Sequence, residues 1–259
     1  MNIPFKKFQA TGNDFIMIDC LDTSEFELTT PQITQLCDRR FGIGADGVIC
    51  LYDHDDFDFE MRYFNSDGSR SFCGNGARCA VQFAKMLNCF KKRAHFLAVD
   101  GVHSAQIDNG IIALQMAAVS VIKSTKNAFT LNTGSPHYVQ FVKELTTWNI
   151  VEFGRKIRYS DPYKSDGINV NLVERIQEDQ LEMLTYERGV EDETFSCGTG
   201  ATAAALAHFY EQKLNGQQRV GIKVKGGKLA VEANCDESRF NDIFLIGPAK
   251  EVFYGSIAI

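Results

Sequence analysis

Cys73-Gly74-Asn75-Gly76-Ala77 returns, roughly 120 residues later, as Cys197-Gly198-Thr199-Gly200-Ala201. Two more pairs keep the same order and nearly the same spacing. Thr11-Gly12-Asn13-Asp14-Phe15-Ile16 is echoed by Thr133-Gly134-Ser135-Pro136-His137-Tyr138, and Ala45-Asp46-Gly47-Val48 more weakly by Ser165-Asp166-Gly167-Ile168. Three echoes in register report a chain duplicated on itself. The period is far above that of a solenoid, so a pair of domains is expected rather than an array. The polar stretch Lys123–Asn127 lies between apolar runs and marks the boundary, giving domains 1–123 and 124–259.

Each half carries short apolar or alternating runs that read as strands: Phe15–Asp19, Gly47–Leu51, Phe59–Phe64 and Ile111–Met116, then Tyr138–Val142, Ile168–Leu172, Ile222–Val224 and Ile243–Ile246. A helical run follows each CGxGA, over Ala77–Leu87 and Ala201–Leu214. The second is Ala-rich and free of charge for its first ten residues, so it predicts a helix buried nearly all round. The fold class is therefore α/β (α+β): two pseudo-symmetric domains, each a mixed curved sheet wrapped around one central helix. Pro136 and Pro162 are expected in loops.

The bulk numbers narrow the chemistry. The 259 residues are 44% hydrophobic and 23% charged, with net charge −6, values of a folded globular chain. No basic block suggests nucleic acid, and no apolar run is long enough for a membrane helix. Met1–Gly12 lacks the apolar segment of a secretion signal, so the cytoplasm is the expected compartment. The eight cysteines include no CxxC pair and histidines number five, so no metal site is expected. Most of these thiols should be small buried hydrophobes; Cys79, inside the first helix, belongs with them.

Cys73 and Cys197 have a different context. Each stands at the amino end of a helix, where free N–H groups and the helix dipole favour negative charge. Thiolate should then be accessible near neutral pH. The N–H groups of Gly74, Asn75, Gly198 and Thr199 suit a carboxylate. If the two half-sites face each other across a cleft, a carboxylate is held with one sulfur on either side. Inverting an α-carbon needs such an arrangement: a base on one face and an acid on the other. Hydrogen bonds to the carboxylate stabilise the charge as the α-proton leaves, so no cofactor is called for. A P-loop and a strand–GxGxxG–helix fingerprint are both absent from the sequence.

Ala10–Phe15, Gly42–Gly47, Phe64–Gly68, Cys73–Cys79, Tyr186–Gly189 and Cys197–Ala201 together resemble the diaminopimelate epimerases, in that family's order and over nearly the whole chain. The resemblance implies a cofactor-independent epimerase acting on LL- and meso-diaminopimelate, in the synthesis of lysine and peptidoglycan precursors. It implies Cys73 and Cys197 as the acid/base pair, and backbone N–H groups of Gly74, Asn75, Gly198 and Thr199 on the reacting carboxylate. Asn13 and Glu187 would meet the reacting ammonium, while Asn65, Asn169 and Arg188 would hold the distal amino-acid end. His137 would assist deprotonation of the first cysteine. The last residues, about 250–259, would pack back on the first domain. The partner is a small amino acid, with no nucleic acid or membrane, and a homodimer is compatible with this reading.

Two positions depart from the family pattern. Ser135 stands where many members have Asn, and Gly47 where some have Gln, so contacts from those side chains would be missing. Three other readings compete. A proline-type racemase would use the same cysteines with a smaller, more apolar pocket. A thiol redox protein would use them as a disulfide. A carboxylate-binding module would tolerate Cys→Ser.

Overall fold

The computed structural model describes residues 2–23, 26–237 and 239–258. The chain divides into two compact units, Met1–Leu114 with Gly247–Ile259, and Gln115–Ile246. The division falls between Leu114 and Gln115, inside a strand, Ile111–Met116, and ahead of the polar Lys123–Asn127 stretch.

In the first unit, strand Asn2–Ala10 pairs antiparallel with Asn13–Cys20 on one edge and with Lys250–Ala258 on the other. The tight turn between the first two strands is Thr11–Gly12, both at positive φ (49° and 88°). Helix α1 (Thr30–Cys37) then crosses over, and Gly47–Tyr52 runs parallel to Asn13–Cys20. Phe59–Asn65 returns antiparallel to it. Helix α2 (Gly74–Met86) makes the second crossover, to Arg93–Ala98, which is parallel to Phe59–Asn65. The second unit follows the same plan. Pro136–Phe141 is followed by helix α3 (Ile150–Arg158), the parallel strand Asn169–Gln177 and the antiparallel return Gln180–Glu187. Helix α4 (Gly198–Glu211) then leads to Gly216–Val224, parallel to Gln180–Glu187. The duplicated sequence is thus a duplicated mixed α/β topology.

The second helix of each half is its centre. In α2, residues Gly74–Val81, Phe83 and Ala84 are buried, and the helix packs on strands Asn2–Ala10, Asn13–Cys20, Gly47–Tyr52, Phe59–Asn65 and Gly101–Asp108. In α4 all of Gly200–Phe209 is buried within a core that includes Val139, Val173, Met183, Val220, Val231, Phe240 and Leu245. Small side chains permit this: an Ala-rich helix offers little volume of its own, so strands can close on every face. Burying the surrounding apolar side chains contributes about 1.5–3 kcal/mol each.

Both predicted helices begin three residues earlier than expected, at Gly74 and Gly198, because the cysteine itself serves as N-cap. Pro136 is not in a loop. It opens the strand Pro136–Phe141, paired with Asn132, a position where a strand tolerates proline because its missing N–H disturbs the ladder least.

Candidate active site

Cys73 follows strand Phe59–Asn65 and caps α2 from an extended backbone (φ −133°, ψ 116°), its Sγ accepting the Gly76 N–H at 3.5 Å. Ser, Thr, Asn and Asp are the usual N-caps because they offer an oxygen. A thiol sulfur is a weak acceptor; a thiolate is a strong one, and the helix start stabilises its charge.

Asn13 begins its strand directly after the Thr11–Gly12 turn and reaches toward the same cap. Its Nδ2 donates to Asp46 Oδ2 at 2.5 Å, while its Oδ1 accepts from Asn75 Nδ2 at 3.2 Å and lies 3.6 Å from Cys73 Sγ. Neither amide can be turned round. Asp46 only accepts at one end. At the other end Arg78, which only donates, holds Asn75 Oδ1 at 2.8 Å. The carboxamide therefore presents its oxygen to Cys73, and the sulfur's complementary role is S–H donor.

Charged residues brace this arrangement. Arg39 bonds both oxygens of Asp14, at 3.0 and 2.7 Å, and Asp46 at 2.7 Å. Lys7, itself buried, lies 2.8 Å from Asp14. Burial alone would raise the Asp14 carboxyl, but Arg39 and Lys7 outweigh it and hold it at about 2. Arg78 is fully buried, and that burial brings its guanidinium down to about 10. Asn65, expected at the distal amino-acid end, here donates to Ser69 O, Ser69 Oγ and Ser71 Oγ at 3.0–3.1 Å and braces the turn before Cys73.

In the second unit Cys197 caps α4 in the same way (φ −124°, ψ 112°), accepting the Gly200 N–H at 3.4 Å. Its side-chain neighbour differs: Thr199 Oγ1 lies 3.4 Å from the sulfur. His137 Nε2 is 2.9 Å from that hydroxyl, and its Nδ1 is 3.1 Å from Asn171 Nδ2. Thr133 Oγ1 donates to Thr199 O at 2.8 Å. His137 is fully buried, and that burial, with the charge of Arg188, holds its pKa down to about 3, so the ring is neutral. The contacts of His137 run to Thr199 and through it to Cys197.

Asn169, Arg188 and Ser135 come together. Asn169 Nδ2 donates to Ser135 Oγ at 2.9 Å and to Pro136 O at 3.3 Å, and its Oδ1 accepts the Arg188 N–H at 2.8 Å. The Arg188 guanidinium donates to Asp166 O at 2.8 Å. Glu187 ends its strand half-buried beside Arg188, opposite Asp192. The repeat has diverged in contacts as well as in sequence: Asn13 addresses a cysteine, whereas its counterpart Ser135 holds Asn169, and His137, the counterpart of Phe15, contacts Thr199 beside the other cysteine.

Asp46, Asn171 and the Thr199 hydroxyl were not singled out from the sequence. Asn171 did leave a signal: with Asn169 it places two asparagines on one face of an otherwise apolar strand start. Burial pushes Cys37 and Cys235 up to about 11 and Cys79 higher still, as inert core thiols. Among the described residues there is no group of three or more His, Cys, Asp or Glu placed to hold a metal, and no helix is long and apolar enough to cross a membrane.

A family model described as diaminopimelate epimerase matches residues 5–120 and 129–252. A curated diaminopimelate epimerase of Flavobacterium psychrophilum is 51% identical, covering 97% of this chain and 98% of its own. One from Chlorobaculum tepidum is 39% identical, covering 96% and 99%. Among solved structures, a PhzF-family phenazine biosynthesis protein of Bacillus anthracis superposes with a TM-score of 0.77 at 15% identity, over all of both chains. A hydroxyproline epimerase from Agrobacterium vitis gives 0.71 at 12%, over 100% of this chain and 93% of that one. At such identities these likenesses speak for the fold alone.

Proposed function

The chain belongs to the diaminopimelate epimerase family and is an epimerase, and from that premise we propose that it interconverts LL- and meso-2,6-diaminopimelate by two-base α-proton transfer. Cys73 and Cys197 form the acid/base pair. The observation that carries this reading is the doubled cap: in each half a cysteine sulfur accepts the backbone N–H three residues on, at the start of a buried helix. Two sulfurs capped alike suit a reaction whose forward and reverse directions exchange the roles of acid and base.

The remaining roles follow the chemistry of each group. Backbone N–H groups of Gly74, Asn75, Gly198 and Thr199 hold the reacting carboxylate and stabilise its developing charge. Asn13 and Glu187 meet the reacting ammonium. Asn65, Asn169 and Arg188 hold the distal end, where a guanidinium suits a carboxylate. Neutral His137 supports a sulfur by hydrogen bonding rather than by charge. The reaction needs no cofactor and serves lysine and peptidoglycan-precursor synthesis in the cytoplasm, by an enzyme that acts as a homodimer.

The test is α-proton exchange. Purified protein with reductant and LL-diaminopimelate in D2O should take up deuterium at one α-carbon and yield the meso isomer, followed by NMR. Cys73→Ala and Cys197→Ala should each abolish exchange while keeping the fold. Turnover retained in either variant removes that cysteine from the mechanism. No exchange in the wild type moves the substrate to proline, hydroxyproline or glutamate.

A further inference from the structure

Four aromatic rings in the first unit form a row that runs from its core to the residue before Cys73. Phe59, Phe96 and His103 stand directly opposite one another on three paired strands, Phe59–Asn65, Arg93–Ala98 and Gly101–Asp108. Opposite residues of paired strands project on one face. Their rings stack accordingly, Phe59 on Phe96 at 4.9 Å and 5°, and Phe96 on His103 at 5.5 Å and 25°. His103 then stacks on Phe72 at 4.0 Å and 4°, the closest and most nearly parallel pair of the row. Phe59 and Phe96 are 0% exposed, so the row is anchored in the core.

The outer end of the row is held as well. Asp100 Oδ1 lies 2.8 Å from His103 Nε2, and a carboxylate only accepts, so Nε2 carries the hydrogen and the bond orients the imidazole. Phe72 lies within 71–73, which belong to no helix or strand. Upstream its segment is tied where Phe64 bridges Arg70 and where Asn65 donates to Ser71 Oγ. Downstream, Cys73 accepts two amides of α2: the Gly76 N–H at its sulfur, 3.5 Å, and the Ala77 N–H at its carbonyl, 2.7 Å. Phe72 is the link between those two ties.

We propose that His103, oriented by Asp100, is a positioning residue: by stacking on Phe72 it fixes the residue before Cys73 and so seats that cysteine on the end of α2. The proposal rests on the reading of Cys73 as an acid/base cysteine. Proton transfer depends on where the acting atom sits, and a misplacement of about 1 Å can cost about a hundredfold in rate. α2 is itself buried over Gly74–Val81, Phe83 and Ala84 and keeps its place by that packing. Substrate binding at its amino end should therefore change less than turnover when the stack is lost.

The experiment is backbone amide exchange by NMR on the intact protein without substrate, beside steady-state kinetics. In His103→Ala the Gly76 and Ala77 amides should exchange about three- to tenfold faster, the factor that one stacked aromatic pair supplies. Gly200 and Ala201, at the second cap, should exchange as in the wild type. kcat should fall by a similar factor, with KM changed less than about twofold. His103→Phe, which keeps a ring to stack, should restore both readouts. Phe72→Leu, which keeps apolar bulk without the ring, should match His103→Ala, and the double variant should be no worse than either single one. The proposal is overturned if Gly76 and Ala77 exchange or kcat is unmoved in His103→Ala, or if Gly200 and Ala201 quicken equally. It is equally overturned if His103→Phe behaves as His103→Ala, or if the two substitutions add. If His103→Ala does not fold, Phe72→Leu and His103→Phe decide. Amide exchange needs no turnover, so failure here is separate from failure of the two-cysteine mechanism, which Cys73→Ala reports through deuterium exchange.

Discussion

Asn13 donates its side-chain amide to Asp46 at 2.5 Å, and this bond, together with the Asn75 amide held by Arg78, decides which atom of Asn13 faces Cys73. Asp46 is in turn held by Arg39. Asp46→Ala would remove the acceptor that holds one end of the amide, leaving only the Asn75 contact against its rotation toward offering Cys73 a donor. A charge-assisted hydrogen bond of this kind is worth about 1.5–3 kcal/mol, so kcat/KM should fall about tenfold or more. Asp46→Asn, which keeps an acceptor, should lose less. Equal steady-state rates for wild type and Asp46→Ala would show that the amide is held by other means.

Gly76 and Gly200 occupy the same place in the repeat but not the same space. A Cβ at Gly76 would meet the end of the Ile49 side chain at 3.1 Å, whereas at Gly200 it would meet Asn171 Oδ1 at 2.6 Å, with Cys197 at 3.3 Å. Gly200→Ala should cost about 1–3 kcal/mol in urea unfolding, and Gly76→Ala clearly less. The reverse order would mean that the Asn171 amide yields easily.

Gly47 admits no side chain. A Cβ there would come within 2.4 Å of Phe64 O and 2.5 Å of the Tyr63 ring, in the pairing of Gly47 with Asn65. Backbone cannot move aside as a side-chain end can. Gly47→Gln, the residue of some relatives, should therefore destabilise by about 1–3 kcal/mol rather than restore a contact, as a shifted denaturation midpoint would report.

His137 has an ordinary pKa of 6.5 and about 3 in the folded protein, chiefly because burial disfavours its charged form. The unfolded chain therefore binds the extra proton first, and unfolding becomes easier as pH falls from 6.5 toward 3. The contribution is fully present above 6.5. Wild type should lose stability in that window more steeply than His137→Gln, measured by urea unfolding at successive pH values. The His137 ring resonances should not titrate between pH 5 and 8; titration there would show the ring to be solvated.

Some elements were readable and passed over. Thr29-Thr30-Pro31-Gln32 carries the marks of a helix start, and in α1 the Thr29 N–H donates to Gln32 Oε1 at 2.9 Å. Asn149 caps α3 through the Glu152 N–H at 3.1 Å. Other elements left little trace. Strands Arg93–Ala98 and Gly101–Asp108 mix charged and apolar residues too evenly to stand out, and they form because a partner strand accepts them.

What the sequence determined by itself was what depends on neighbours along the chain. The repeat, the Ala-rich core helix of the second half and the two cysteines at helix starts rest on cap chemistry and helix propensity, which act over four or five residues. The tertiary structure alone decided how each sulfur is served. Asn13 and Asp46 lie 33 residues apart, His137 and Thr199 lie 62 apart, and the parallel register that sets His137 opposite Asn169 is fixed only when two distant strands pair. A hydrogen bond depends on tenths of an ångström and on which end donates. Sequence spacing carries neither, so the same cap came out facing a carboxamide in one half and a hydroxyl in the other.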